Sequence, residues 1–191
     1  MNSDSSRVRT RRGRHDQPRA PSPSVAEPRC PLLLAVLAFV LAARDCPGVQ
    51  RISLLGSILT AKAIPKDVDV LVTIDGAMDL AGLARSGRRL IGRAQTINLG
   101  ADVFLADTTG RYLGRICHYR ECHPRVLCHA QHCGQRDHLN DDLHVVTLSQ
   151  ESIASPPVDL WPKVIRRINI PVDVENILLT GLERNPMADL S

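Results

Sequence analysis

Apolar and polar positions along residues 31–116 follow several periods in turn, and each marks an element. PLLLAVLAFVLAAR, residues 31–44, is apolar on every side. A helix over that stretch covers about 18 Å, short of the roughly 30 Å of a bilayer core, which predicts a buried helix rather than a membrane span. RISLL then reads as the end of a strand over 49–55, and DVDVLVTI, residues 67–74, as a strand dense in β-branched side chains. Between them Ser57 to Ala63 reads as a short helical or turn segment with Ser57 as its N-cap. Residues 78–95 set Leu80, Leu83, Leu90 and Ile91 against Arg85, Arg88, Arg89 and Arg93, an amphipathic helix weakened in its middle by Ser86-Gly87. ADVFLAD, residues 101–107, is a third strand, and Thr108-Thr109-Gly110 turns it into a fourth, RYLGRI. Strands separated by helices predict an α/β or α+β domain, a small mixed sheet with flanking helices.

Beyond residue 116 the pattern breaks down. Residues 117–144 hold six of the seven histidines and four of the six cysteines, which predicts a Cys/His-rich insertion or appendage. Residues 145–191 show only short apolar runs between prolines, and no role is legible in them. The division that results is a tail over 1–29, a core over 30–116, the Cys/His segment over 117–144 and a C-terminal segment over 145–191.

Composition changes the picture mainly at the N-terminus. Residues 1–29 are rich in Arg, Pro and Ser, carry seven Arg against three acidic residues, and lack the apolar surface needed to fold alone. The formal net charge of +4 therefore resides in the tail, and the other residues balance at 17 basic and 17 acidic. A neutral body with 3% aromatic residues lacks the stacking platforms of a single-strand binder. The Arg-rich leader followed by an apolar run ending in Ala42-Ala43 also has the order of a secretory signal peptide, which would place the protein outside the cytoplasm. The Gly-Ser that follows without a linker favours instead a first helix of a cytoplasmic domain.

The candidate chemistry begins with Asp67 and Asp69. One residue apart on a strand, they share a face while Val68, Val70 and Val72 share the other. Adjacent like charges cost stability unless a cation or a network compensates, so the pair predicts a divalent metal site. Asp102 leads the next apolar strand as Asp67 leads its own. Asp107, five residues on, falls on the opposite face beside a turn.

Gly56-Ser57, Asp67-Val68-Asp69 and Asp102, in that order over residues 31–107, resemble the polymerase beta-like nucleotidyltransferase superfamily, in particular its minimal bacterial members. The resemblance implies that Asp67 and Asp69 bind two Mg²⁺ ions, that Asp102 completes the site and activates the acceptor, and that Gly56 and Ser57 hold the nucleotide phosphates. It implies transfer of a nucleoside monophosphate from a nucleoside triphosphate, ATP first, to an acceptor hydroxyl on a protein, a nucleic-acid end or a small molecule, with a separate helical protein as a partner. The Arg-Gly that often follows the family's Gly-Ser is absent, and Lys62 is the candidate to replace its charge. That departure also suits an inactive relative, a zinc-stapled nucleotide-binding or protein-interaction module.

Cys117, Cys122, Cys128 and Cys133 form C-x4-C-x5-C-x4-C. Four thiolates suit a structural Zn²⁺ that would staple a segment too polar to form a core. An iron–sulfur cluster, a disulfide pair and unliganded thiols are the alternatives for the same residues.

Overall fold

The computed structural model describes residues 28–120 and 129–186. Helix α1, Arg29–Ala43, begins two residues before Pro31, which falls in the first turn, where its missing N–H leaves no intrahelical bond unmade. Its apolar surface serves as core. Leu32, Leu33, Val36 and Val40 are fully buried, and α1 packs along α2, Ala81–Gln95. No helix among the described residues is long and apolar enough to cross a membrane.

Strands β1, Val49–Leu55, and β2, Asp67–Ile74, span the residues the pattern marked, joined through a single 3-10 turn, Ser57–Leu59. Strand β3, Gly100–Asp107, lies parallel to β2, with α2 crossing between them. Strand β4, Tyr112–Ile116, returns antiparallel to β3, and a two-residue β5, Leu139–Asn140, adds to its far edge. On the other side β6, Val158–Trp161, pairs antiparallel with β1, followed by β7, Ile165–Arg166. The result is an α+β protein with one mixed sheet of seven strands, ordered β5-β4-β3-β2-β1-β6-β7.

The two faces of that sheet are covered differently. Val68, Val70, Val72, Ile52, Leu54, Val103 and Leu105 point into the main core under α1 and α2. The core is closed by Val174, Leu178, Leu179 and Leu182, from a π-helical stretch, Val174–Leu179, running into α3, Thr180–Glu183. Ser86-Gly87 does not break α2. Gly87 is buried, and the space a Cβ would take lies 3.4 Å from both Val103 and Ile116, so the small residue brings the helix down onto the sheet. The opposite face is half covered. Val146, Leu148 and Ile153 pack over Leu55, Leu71, Phe104, Ala106 and Tyr112, leaving the β2 and β3 ends that carry Asp67, Asp69 and Asp102 outside that cluster.

Candidate functional site

Register alone brings the carboxylates together. Parallel pairing of β2 with β3 places Asp69 opposite Asp102 and Asp67 opposite Gly100, while antiparallel pairing places Leu55, the last residue of β1, opposite Asp69. The chain leaves β1 through Gly56, which sits directly against Asp69. Its backbone, φ 78° and ψ −163°, lies in a region that is essentially glycine's own. A Cβ there would stand 2.3 Å from Asp69 Oδ2, so glycine is required both by conformation and by space.

Ser57 starts the 3-10 turn but does not cap it. Gly56 holds the cap position without a side-chain bond, and the Ser57 hydroxyl lies 3.5 Å from the Asp67 carbonyl. Lys62 is exposed and its carbonyl, rather than its ammonium, takes part in the loop's bonding. The group that organises this loop is Arg29. Its guanidinium is buried and donates to the carbonyls of Ile58 (2.8 Å), Thr60 (3.3 Å) and Lys62 (2.8 Å) while pairing with Asp173. Composition assigns Arg29 to the tail, and nothing local distinguishes it from the six arginines before it.

The electrostatics of the three carboxylates diverge. Burial, with Asp67 and then Asp102 adding like charge, pushes Asp69 up to about 6 against the pull of Arg115. Burial also acts to raise Asp102, but the hydrogen bond from His118 and the charge of Arg115 outweigh it and hold Asp102 below the usual carboxylate range. Arg115, on β4, donates to Asp102 at 2.9 Å and with its other amino group to Asp142, which is wholly buried. His118 Nε2 lies 3.5 Å from Asp102. Neither Arg115 nor Asp142 carried a signal in the sequence, because their roles arise from pairing between segments far apart along the chain. Asp107 is a turn residue. Its carboxylate accepts from Thr109 Oγ1 and from the Thr109 and Arg111 amides, and those bonds, Thr109 first, hold it down to about 2.

Asp67 and Asp69 supply hard oxygen donors on one half-buried face, with a glycine cradle beside them and an unneutralised repulsion between them, and that donor set fits a divalent cation. Asp102 faces the same way with its charge already shared by Arg115. Among the described residues no group of three or more His, Cys, Asp or Glu side chains is gathered tightly enough to form a finished metal cage. Of the four cysteines, Cys117 is buried after β4 and Cys133 is exposed, while Cys122 and Cys128 lie outside the described residues. Comparisons with family models, with curated proteins and with solved structures return no match.

Proposed function

We propose that the protein is a nucleotidyltransferase that moves a nucleoside monophosphate from a nucleoside triphosphate, ATP first, to an acceptor hydroxyl. The observation that carries this reading is the packing of Gly56 on Asp69, with Asp67 beside it and Asp102 facing it across a parallel strand pair. A side-chain-free backbone turn next to clustered carboxylates lets a polyphosphate approach the cations those carboxylates hold. Mg²⁺ held by Asp67 and Asp69, with Asp102 as the third ligand, would supply charge neutralisation at the α-phosphorus and on the departing pyrophosphate.

The chain's own residues account for the rest. Arg29 fixes the carbonyls of Ile58, Thr60 and Lys62 and so holds the loop that follows Gly56 in place beside the carboxylates. Asp102, kept ionised by His118 and Arg115, accepts the hydrogen bond of the acceptor hydroxyl. As the acceptor oxygen bonds to the α-phosphorus, the bond from that phosphorus to the β-bridging oxygen breaks. The hydroxyl proton goes to Asp102 and from its partly exposed carboxylate to solvent.

A second reading, nucleotide binding without turnover, is favoured by Arg115, which occupies Asp102. Two measurements separate the readings. Mg²⁺-dependent ATP binding should vanish in the Asp67→Ala, Asp69→Ala double variant while its circular dichroism stays native, since removing adjacent like charges relieves the strand. Pyrophosphate release with candidate acceptors then marks turnover. An unchanged ATP affinity in the double variant overturns both readings.

A further inference from the structure

The reading above asks Asp102 to ligate a cation, yet Arg115 already holds that carboxylate. Arg115 stands opposite Phe104 on β3 and opposite Asn140 on β5. Directly paired residues share a face of the sheet, so Arg115 faces the same way as Asp102, two residues before Phe104. Its guanidinium lies between Asp102 on one side and Asp142, two residues past Asn140, on the other. Asp142 is 0% exposed, and Arg115 is the one ion-pair partner it has among the described residues.

A guanidinium matches a carboxylate along one edge, with Nε and Nη2 donating in parallel to the two oxygens. The protein completes that fork elsewhere. Arg29 donates to Asp173 from Nε (2.5 Å) and Nη2 (3.1 Å), and Arg166 donates to Glu175 from Nε (3.0 Å) and Nη2 (2.5 Å). At Arg115 the fork is half made. Nη2 reaches Asp142 Oδ2, but Arg115 Nε and Asp142 Oδ1 are both buried, and neither has a hydrogen bond among the described residues. The other bond of this guanidinium runs from Nη1 to Asp102 Oδ1 at 2.9 Å.

The two unmade ends are complementary, a buried donor and a buried acceptor on partners that already touch, and leaving both unpaired is costly. Turning Arg115 off Asp102 and onto Asp142 breaks one charge-assisted bond and makes another. A divalent cation at Asp67 and Asp69 repels the guanidinium and attracts Asp102, which biases that exchange. We infer that Asp142 is a positioning residue for the site, receiving Arg115 along its full edge when Asp102 turns to the cation. Asp102 then keeps a counter-charge throughout, Arg115 before the cation binds and the cation afterwards. The contact of Arg115 with Asp102 belongs to the cation-free state, an inference that rests on the reading of Asp67, Asp69 and Asp102 as a cation site.

The test follows the Arg115 Nε–H of the full chain by nitrogen–proton NMR, its signal assigned by its loss in Arg115→Lys, together with Mg²⁺ affinity by calorimetry. Mg²⁺ should move that signal downfield and slow its exchange with water as the bond to Asp142 Oδ1 forms. Metal-free Asp102→Ala should give the same change, because the competing carboxylate is gone. An Nε signal that stays in place in Asp102→Ala overturns the inference whatever the cation does. Asp142→Asn removes the charged receiver and should weaken Mg²⁺ binding about tenfold, the weight of one charge-assisted bond. The Arg115→Gln, Asp142→Asn variant removes holder and receiver together. It should bind Mg²⁺ at least as tightly as the wild type, which separates the handover from damage to the fold. Mg²⁺ binding that depends on Asp67 and Asp69 but leaves both the Nε signal and the Asp142→Asn affinity unchanged would remove this inference alone. The Nε change in Asp102→Ala with no Mg²⁺ binding by the wild type would remove the cation reading instead.

Discussion

Gly56 and Asp69 touch so closely that the hydrogen on the Gly56 Cα stands in for the side chain any other residue would drive into the carboxylate. Gly56→Ala therefore meets two penalties. Its backbone conformation costs an L-residue about 1–3 kcal/mol, and the added methyl forces Asp69 aside. Urea unfolding should show a loss in that range, and Mg²⁺-dependent ATP affinity should fall further than stability alone explains, because Asp69 has moved. A variant as stable as the wild type with unaltered affinity would contradict this account of the turn.

Asp69 gives the protein a pH signature. Its folded-state value of about 6 exceeds the ordinary 3.8, so between those values the folded chain holds a proton that the unfolded chain has released. Stability contributed by this group is full below about pH 4 and is lost as pH rises through about 6. Asp69→Asn should erase that decline and leave the variant more stable than the wild type at neutral pH. Saturating Mg²⁺ should reverse it in the wild type, since a bound cation favours the ionised form. Urea midpoints measured across this window, with and without Mg²⁺, give the comparison.

Arg29 is the third point of leverage. Replacing it by Met keeps apolar bulk but leaves Asp173 without its partner and three loop carbonyls without their donor. The expected destabilisation is about 2–4 kcal/mol. Asp173→Asn, which retains an acceptor oxygen, should cost clearly less. Nucleotide affinity should drop in the Met variant even at temperatures where it remains folded, a split that an ordinary tail residue would not produce.

The parts of the fold legible in the sequence were those written in local periodicity. Val49–Leu55 and Asp67–Ile74 carry dense apolar patterns, and Asp67 and Asp69 declare a common face by their spacing. The Arg-flanked pattern of α2 likewise named its buried side. What the sequence withheld depends on distant partners. Arg29 looks like one more tail arginine until Asp173 and the loop carbonyls surround it. Ser57 has the right residue type for a cap, but the strained turn at Gly56 takes that position. Asp142 looks like a surface residue in a polar stretch, yet pairing of β5 with β4 seals it beside Arg115. Strand β6 resembles a loop fragment between prolines, and only the open edge of β1 makes it part of the sheet.

The bond between Arg29 and Asp173 also has a consequence in time. The two residues are 144 positions apart, and a ribosome adding about 5–20 residues per second needs roughly seven to thirty seconds to travel from one to the other. Until then the nascent loop over residues 58–62 has an anchor, Arg29, that lacks its counter-ion. That loop gains its full anchor only once Asp173 has been made and the helical segment it begins is delivered to α1.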